Sequence, residues 1–141
     1  MKHPDLITAT DVLLALGAAD VVAGQEEAEL IARHSNAVLT TNLTMNLTRV
    51  TEKADVLCVH IEDSATAFAA VHSAPAGRIA DIGSGAGYPG VILSILTGRE
   101  TTLVESIQKK ANFLASIAED LALPLEVVAD RAEHLAVQRE G

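Results

Sequence analysis

Apolar positions recur at helical spacing along the first half of the chain and bunch into short runs along the second. Residues from about 10 to 74 read as helical. Thr10 is expected to N-cap Asp11–Leu16, with Gly17 as a stop signal. Gln25–Leu39 places Ala28, Leu30, Ile31, Ala37 and Val38 along one stripe, the spacing of an amphipathic helix. Thr40–Thr51 is rich in Asn and Thr and reads as a connecting loop. Ala54–His60 and Ser64–Val71 then suggest one bent helix or two short ones. At Pro75-Ala76-Gly77 the character changes. Strands are expected at Arg78–Asp81, Thr101–Val104 and Leu125–Ala129. Helices are expected at Pro89–Leu96 and Lys109–Leu121, and another starts at Ala132–Gln138. Strands separated by helices imply βαβ units and an α/β fold. Right-handed crossovers set the strands side by side in the order 3-2-1. The expected organisation is an N-terminal helical region, 1–74, and a partial nucleotide-binding region, 75–141, within one structural domain.

Composition narrows the classes of function. A chain of 141 residues is long enough for one sizeable core. Its aromatic residues are only Phe68, Tyr88 and Phe113, so the core must be aliphatic and stacking platforms for single-stranded nucleic acid are nearly absent. The formal net charge of −9 argues against strong autonomous RNA binding, since phosphate neutralisation supplies most of that affinity. The balance suits a small-ligand binder in the cytoplasm. Cys58 is the only cysteine and allows no internal disulfide. No apolar run reaches membrane-spanning length and no metal is called for.

The chemistry concentrates in Asp81-Ile82-Gly83-Ser84-Gly85-Ala86-Gly87, which follows the first expected strand and leads into a helix. Glycines there let a ligand approach the backbone with no Cβ in the way. Two nucleotide patterns overlap. One is Asp-x-Gly-x-Gly-x-Gly from Asp81. The other is the dinucleotide fingerprint Gly85-x-Gly87-x-x-Gly90, with Glu105 twenty positions beyond its first glycine. In the second pattern Gly85 lies four residues past the strand end, too late for the first turn. S-adenosylmethionine carries a sulfonium and no phosphate, so an acid at Asp81 suits it better than it suits a pyrophosphate. Glu105 at the end of the second strand is placed to accept hydrogen bonds from ribose hydroxyls in either pattern. After the third strand, Asp130-Arg131-Ala132-Glu133 could bracket an adenine edge, with Glu133 as an N-terminal helix carboxylate.

At these residues the chain resembles the ribosomal RNA small-subunit methyltransferase G family, also called glucose-inhibited division protein B. The resemblance runs through Asp81–Gly90 with its Tyr88-Pro89-Gly90 ending, Thr102–Ser106, Lys109–Leu114 and Arg131-Ala132-Glu133. Upstream it includes Asn46-Leu47-Thr48, His60 and Asp63-Ser64. It implies a Rossmann-like class I methyltransferase fold. The implied activity is methyl transfer from S-adenosyl-L-methionine to guanine N7 in 16S rRNA, with the RNA or the small ribosomal subunit as partner. By resemblance Asp81, Gly83, Gly85, Gly87 and Tyr88 form the cofactor loop, Glu105 holds the ribose, and Ala132 and Glu133 meet the adenine. Asn46, His60 and Asp63 would sit at the active-site rim. The chain departs from the family at Val59, where an arginine usually precedes His60, and at Thr41, where a tryptophan usually precedes Asn42.

The family continues for several strands and helices beyond Arg131-Ala132-Glu133. In this chain the first strand, central in the full fold, is therefore expected to be an open edge beside an uncovered apolar face. A truncated chain, completion by a partner, or self-association through that edge is the expected consequence.

Overall fold

The computed structural model describes residues 5–131. The expected helix at Ala132–Gln138, and with it Ala132 and Glu133, lies outside those residues.

Helix α1 spans Ala9–Ala18. Its N-cap is Thr8 and not Thr10. Thr8 Oγ1 accepts the Asp11 N–H at 3.1 Å while the Asp11 carboxylate accepts the Thr8 N–H at 2.9 Å. This reciprocal capping box satisfies two end donors and outcompetes a cap two residues later. Helix α2 spans Gln25–Thr41 and buries Ala28, Ile31, Ala32, His34, Ser35, Val38 and Leu39. Asn36 ties its face to the N-terminal segment, accepting from Ile7 N–H at 2.7 Å and donating to Ile7 C=O at 2.9 Å. After the Asn/Thr loop, α3 at Lys53–Asp55 runs directly into a π-helical segment, Val56–Glu62, and then into α4 at Asp63–Ser73. Of the two alternatives expected there, one bent helix or two short ones, the chain forms one unbroken helical run.

The strands β1 Ile79–Ile82, β2 Thr101–Val104 and β3 Leu125–Val128 match their expected places within a residue. They form a parallel sheet in the order β1-β2-β3, the same adjacency as 3-2-1. The crossovers are α5, Gly90–Thr97, and α6, Gln108–Asp120. Pro89 is the N-cap of α5 and not a residue of its first turn. In register, Asp81, Leu103 and Val127 share one sheet face. Leu103 is fully buried there, in one apolar cluster with Ile92, Leu114 and Ile117. That cluster extends from Ile7 to Leu121, so the N-terminal helices and the sheet share a core. The opposite face carries Ala80 and Ile82. Ile82 is 59% exposed, and β2 is the only strand paired with β1 among the described residues. The uncovered face is narrower than expected, because Thr102 and Val104 beside it are buried.

Candidate functional site: the glycine loop and its two carboxylates

The loop after β1 folds back on the end of β2. Gly83 and Ser84 both donate their N–H to Val104 C=O, at 2.8 and 3.1 Å, and Gly87 N–H closes a turn onto Ser84 C=O at 2.8 Å. Gly83, Gly85 and Gly87 all have positive φ. Gly87 has a second constraint. At φ +106° it occupies backbone space unsuited to other residues, and an added Cβ would lie 2.8 Å from both His34 Nε2 and Val91 Cγ2. At Gly83 and Gly85, by contrast, nothing lies within 4 Å of where a Cβ would point. The bare backbone at these two positions faces open space.

A carboxylate stands on each side of this loop. Glu105, just past β2, is buried, yet both its oxygens are engaged: Oε1 accepts Gly85 N–H and Oε2 accepts Ile107 N–H, each at 2.8 Å. It clamps the loop to the β2 end. A carboxylate offers about four acceptor positions, so two remain for a ligand's hydroxyls. Asp81, at the end of β1, turns toward α5, where its Oδ2 accepts the Gly90 N–H at 3.1 Å. Burial holds its pKa above the usual carboxylate value, against the opposing pull of the Gly90 and Ser84 hydrogen bonds. Asp81 thus complements the positive end of α5. Gly90 makes this approach possible, since a Cβ there would come within 2.6 Å of Asp81 Oδ2 and 2.5 Å of Leu103 Cδ2.

Tyr88 is committed to the protein interior. Its hydroxyl meets Ser35 Oγ at 2.9 Å. Its ring lies between His34, at a centroid distance of 4.7 Å, and His60, stacked at 4.3 Å with planes 3° apart. Burial pushes the phenol pKa well upward. His60 comes from the π-helical segment, and its Nε2 meets Thr48 Oγ1 at 3.1 Å. Partial burial lowers its pKa while nearby Asp63 pulls the other way. Thr48 is in turn placed by Asn42, whose Oδ1 accepts the Leu47 and Thr48 N–H groups. The fold therefore joins His60 to the glycine loop. Asn46 and Asp63 are exposed beside this cluster and are not part of its hydrogen-bonded chain.

A family model described as rRNA small subunit methyltransferase G, GidB, matches residues 27–141. The chain belongs to the GidB family. A ribosomal RNA small subunit methyltransferase G from Solibacter usitatus is 43% identical over 72% of this chain and 49% of its own length. The protein of that name from Sorangium cellulosum is 45% identical over 70% of this chain and 42% of its own. The one from Clostridium botulinum is 34% identical over 99% of this chain and 57% of its own. The chain thus spans about half the length of the curated GidB relatives it matches. Family and fold agree, since GidB is a Rossmann-like class I methyltransferase family, and methyltransferases of this class generally use S-adenosylmethionine. No helix among the described residues is long and apolar enough to cross a membrane.

His34 and Ser35 were not singled out in the sequence. Their signal was a pair of polar residues inside the apolar stripe of α2, between Ile31 and Val38. His34 is fully buried, its Nε2 is 2.8 Å from Ala86 C=O, and burial lowers its pKa to about 4.

Proposed function

We propose that this chain carries the S-adenosyl-L-methionine-binding part of a methyltransferase acting on guanine N7 of 16S rRNA. The observation that carries this reading is the pair of carboxylates, Asp81 and Glu105, flanking a glycine loop whose backbone is bare at Gly83 and Gly85. Such a site favours a cationic ligand with hydroxyls. It opposes the dinucleotide reading from Gly85, because Asp81 already sets a carboxylate against the α5 N-terminus, where a pyrophosphate would be needed. The residues present fit S-adenosylmethionine. Glu105 would accept the ribose hydroxyls on its remaining lone pairs. Gly83 and Gly85 would admit the ligand to the backbone, with exposed Ile82 and Ile107 as apolar flanks. By family resemblance Ala132 and Glu133 would meet the adenine. Tyr88 would contribute through its backbone, since its side chain is held by Ser35, His34 and His60.

The bound cofactor supplies an electrophilic methyl group. Guanine N7 already bears a lone pair and loses no proton before attack, so the protein's task is alignment and exclusion of water. No strong general base is needed. By family resemblance His60, whose pKa partial burial lowers, and the exposed Asn46 and Asp63 would serve as rim residues for the RNA. In A-form RNA the N7 edge lies in a groove too deep and narrow to read, so an open or distorted RNA region is the expected target.

Calorimetry with S-adenosylmethionine, S-adenosylhomocysteine and NAD tests the site. Binding of the first two and not the third is expected, and preference for NAD would overturn it. Labelled-methyl transfer to small ribosomal subunits tests the activity. A second outcome is a module that binds cofactor without turnover, which the two assays together separate from the first.

A further inference from the structure

His34 is an expensive choice for its position. Its neighbours on the buried stripe of α2, Ile31 and Val38, are aliphatic, and an aliphatic residue would complete that stripe with no polar atom to satisfy. The imidazole instead brings two nitrogens into a fully buried site, and one of them, Nδ1, has no partner. The other, Nε2, lies 2.8 Å from the carbonyl of Ala86, 52 residues away at the crest of the glycine loop. A carbonyl only accepts, so Nε2 carries the hydrogen and Nδ1 keeps its lone pair in the apolar interior. Burial favours this neutral form. The next residue of α2 grips the same loop, Ser35 Oγ meeting Tyr88 OH. Between the two anchors, Gly87 presents a bare α-carbon directly against His34 Nε2. Two consecutive residues of one rigid helix therefore hold Ala86–Tyr88, while Glu105 holds Gly85 from the opposite side.

We propose that His34 is a positioning residue, holding the glycine loop in its ligand-ready shape through the Nε2–H bond to Ala86 C=O. The part of this proposal concerning cofactor affinity rests on the reading given under Proposed function; the part concerning loop shape does not. Tyr88 supplies a cofactor-independent probe. It is the only tyrosine and the chain has no tryptophan, so intrinsic emission excited near 280 nm reports this cluster alone.

The test compares the 141-residue chain with His34→Leu and His34→Gln, the glutamine amide being long enough to donate to the same carbonyl. Acrylamide quenching of Tyr88 should rise in His34→Leu and stay near wild type in His34→Gln. S-adenosylmethionine affinity by calorimetry should fall about tenfold in the leucine variant and stay within about threefold in the glutamine variant, the range set by one hydrogen bond. Equal shielding of Tyr88 in all three proteins overturns the proposal, as does an equal loss in both variants, which would make the effect one of packing. If the leucine variant does not fold, His34→Asn takes its place, its shorter amide falling short of Ala86 C=O. Quenching of Tyr88 should rise in His34→Asn and stay near wild type in His34→Gln. Equal quenching in the two amide variants overturns the proposal. A wild-type chain that binds no S-adenosylmethionine sinks the cofactor reading, and the Tyr88 measurements then decide the role of His34 alone.

Discussion

At the scale of single residues, the site depends on buried groups whose partners are backbone. Glu105 is the clearest case, because each oxygen serves one N–H group. Glu105→Gln keeps one acceptor and turns an NH₂ toward the other donor. We expect a loss of about 1–3 kcal/mol in a urea melt, the cost of an unsatisfied buried donor, together with weaker cofactor binding. A melt identical to wild type would show that the clamp is not formed in solution. His34 gives the chain a pH dependence of defined sign. Its pKa is lowered from 6.5 to about 4, so the unfolded chain takes up a proton that the native chain refuses. The stabilisation is full above pH 6.5 and is lost as pH falls toward 4, by up to about 3 kcal/mol. His60, also lowered, adds in the same direction, while Asp81, raised, opposes it at the acid end. Comparing His34→Gln with wild type across pH 7 to 4.5 isolates the first contribution. Glu105 was legible in the sequence as a strand-end acid. Its grip on Gly85 was not, because hydrogen-bond partners twenty residues apart leave no local pattern.

Among the elements, the strands were the most legible, since short β-branched and aliphatic runs between Gly and Pro punctuation have few alternatives. The joins were less so. Thr8-Ala9-Thr10-Asp11 contains the capping-box spacing, yet Thr10 stands nearer the apolar run and misleads. The π-helical segment around His60 has no sequence signature, because its extra residue per turn is set by packing and not by propensity. The end of α6 shows what a sequence rule overlooks. Leu123 N–H reaches Ala118 C=O and Ala122 N–H reaches Glu119 C=O, a complete Schellman motif with alanine where glycine is usual. Ala122 adopts φ +51°. Ala122→Gly should therefore stabilise the protein by up to about 1 kcal/mol, relief of the left-handed strain being partly offset by the entropy of a freer unfolded chain. A lower melting temperature would contradict the assignment of this cap.

For the whole molecule, the cohesion is apolar. The cross-strand pairs of Arg78 with Glu100 at 2.8 Å and Glu126 at 3.2 Å are more than half exposed and add little. The apolar cluster does the joining, and Leu103→Ala, at its sheet side, should cost about 2–5 kcal/mol by denaturant melt. Among the described residues β1 lies at the sheet edge, as the strand order expected from a βαβαβ run places it. We propose that exposed Ile82 beside this edge favours self-association at high concentration. Ile82→Lys should shift the sedimentation distribution toward monomer, charge being an effective block on edge pairing. Unchanged sedimentation would mean that the edge is not the contact. The helical half was legible as helices but not as a support for the loop, because amphipathic spacing says which face is buried and not what it is buried against.

Gly90 belongs to the motif by sequence, but its α-carbon faces Asp81 and Leu103 and not the open side of the loop. A side chain there would lower how many molecules reach the native state and would also push Asp81 aside in those that do. In a cell such a lesion would register as a shortage of protein that worsens with warmth and eases with higher expression, and the purified survivors would bind more weakly. A residue within a ligand-binding signature can in this way give the phenotype of reduced dosage.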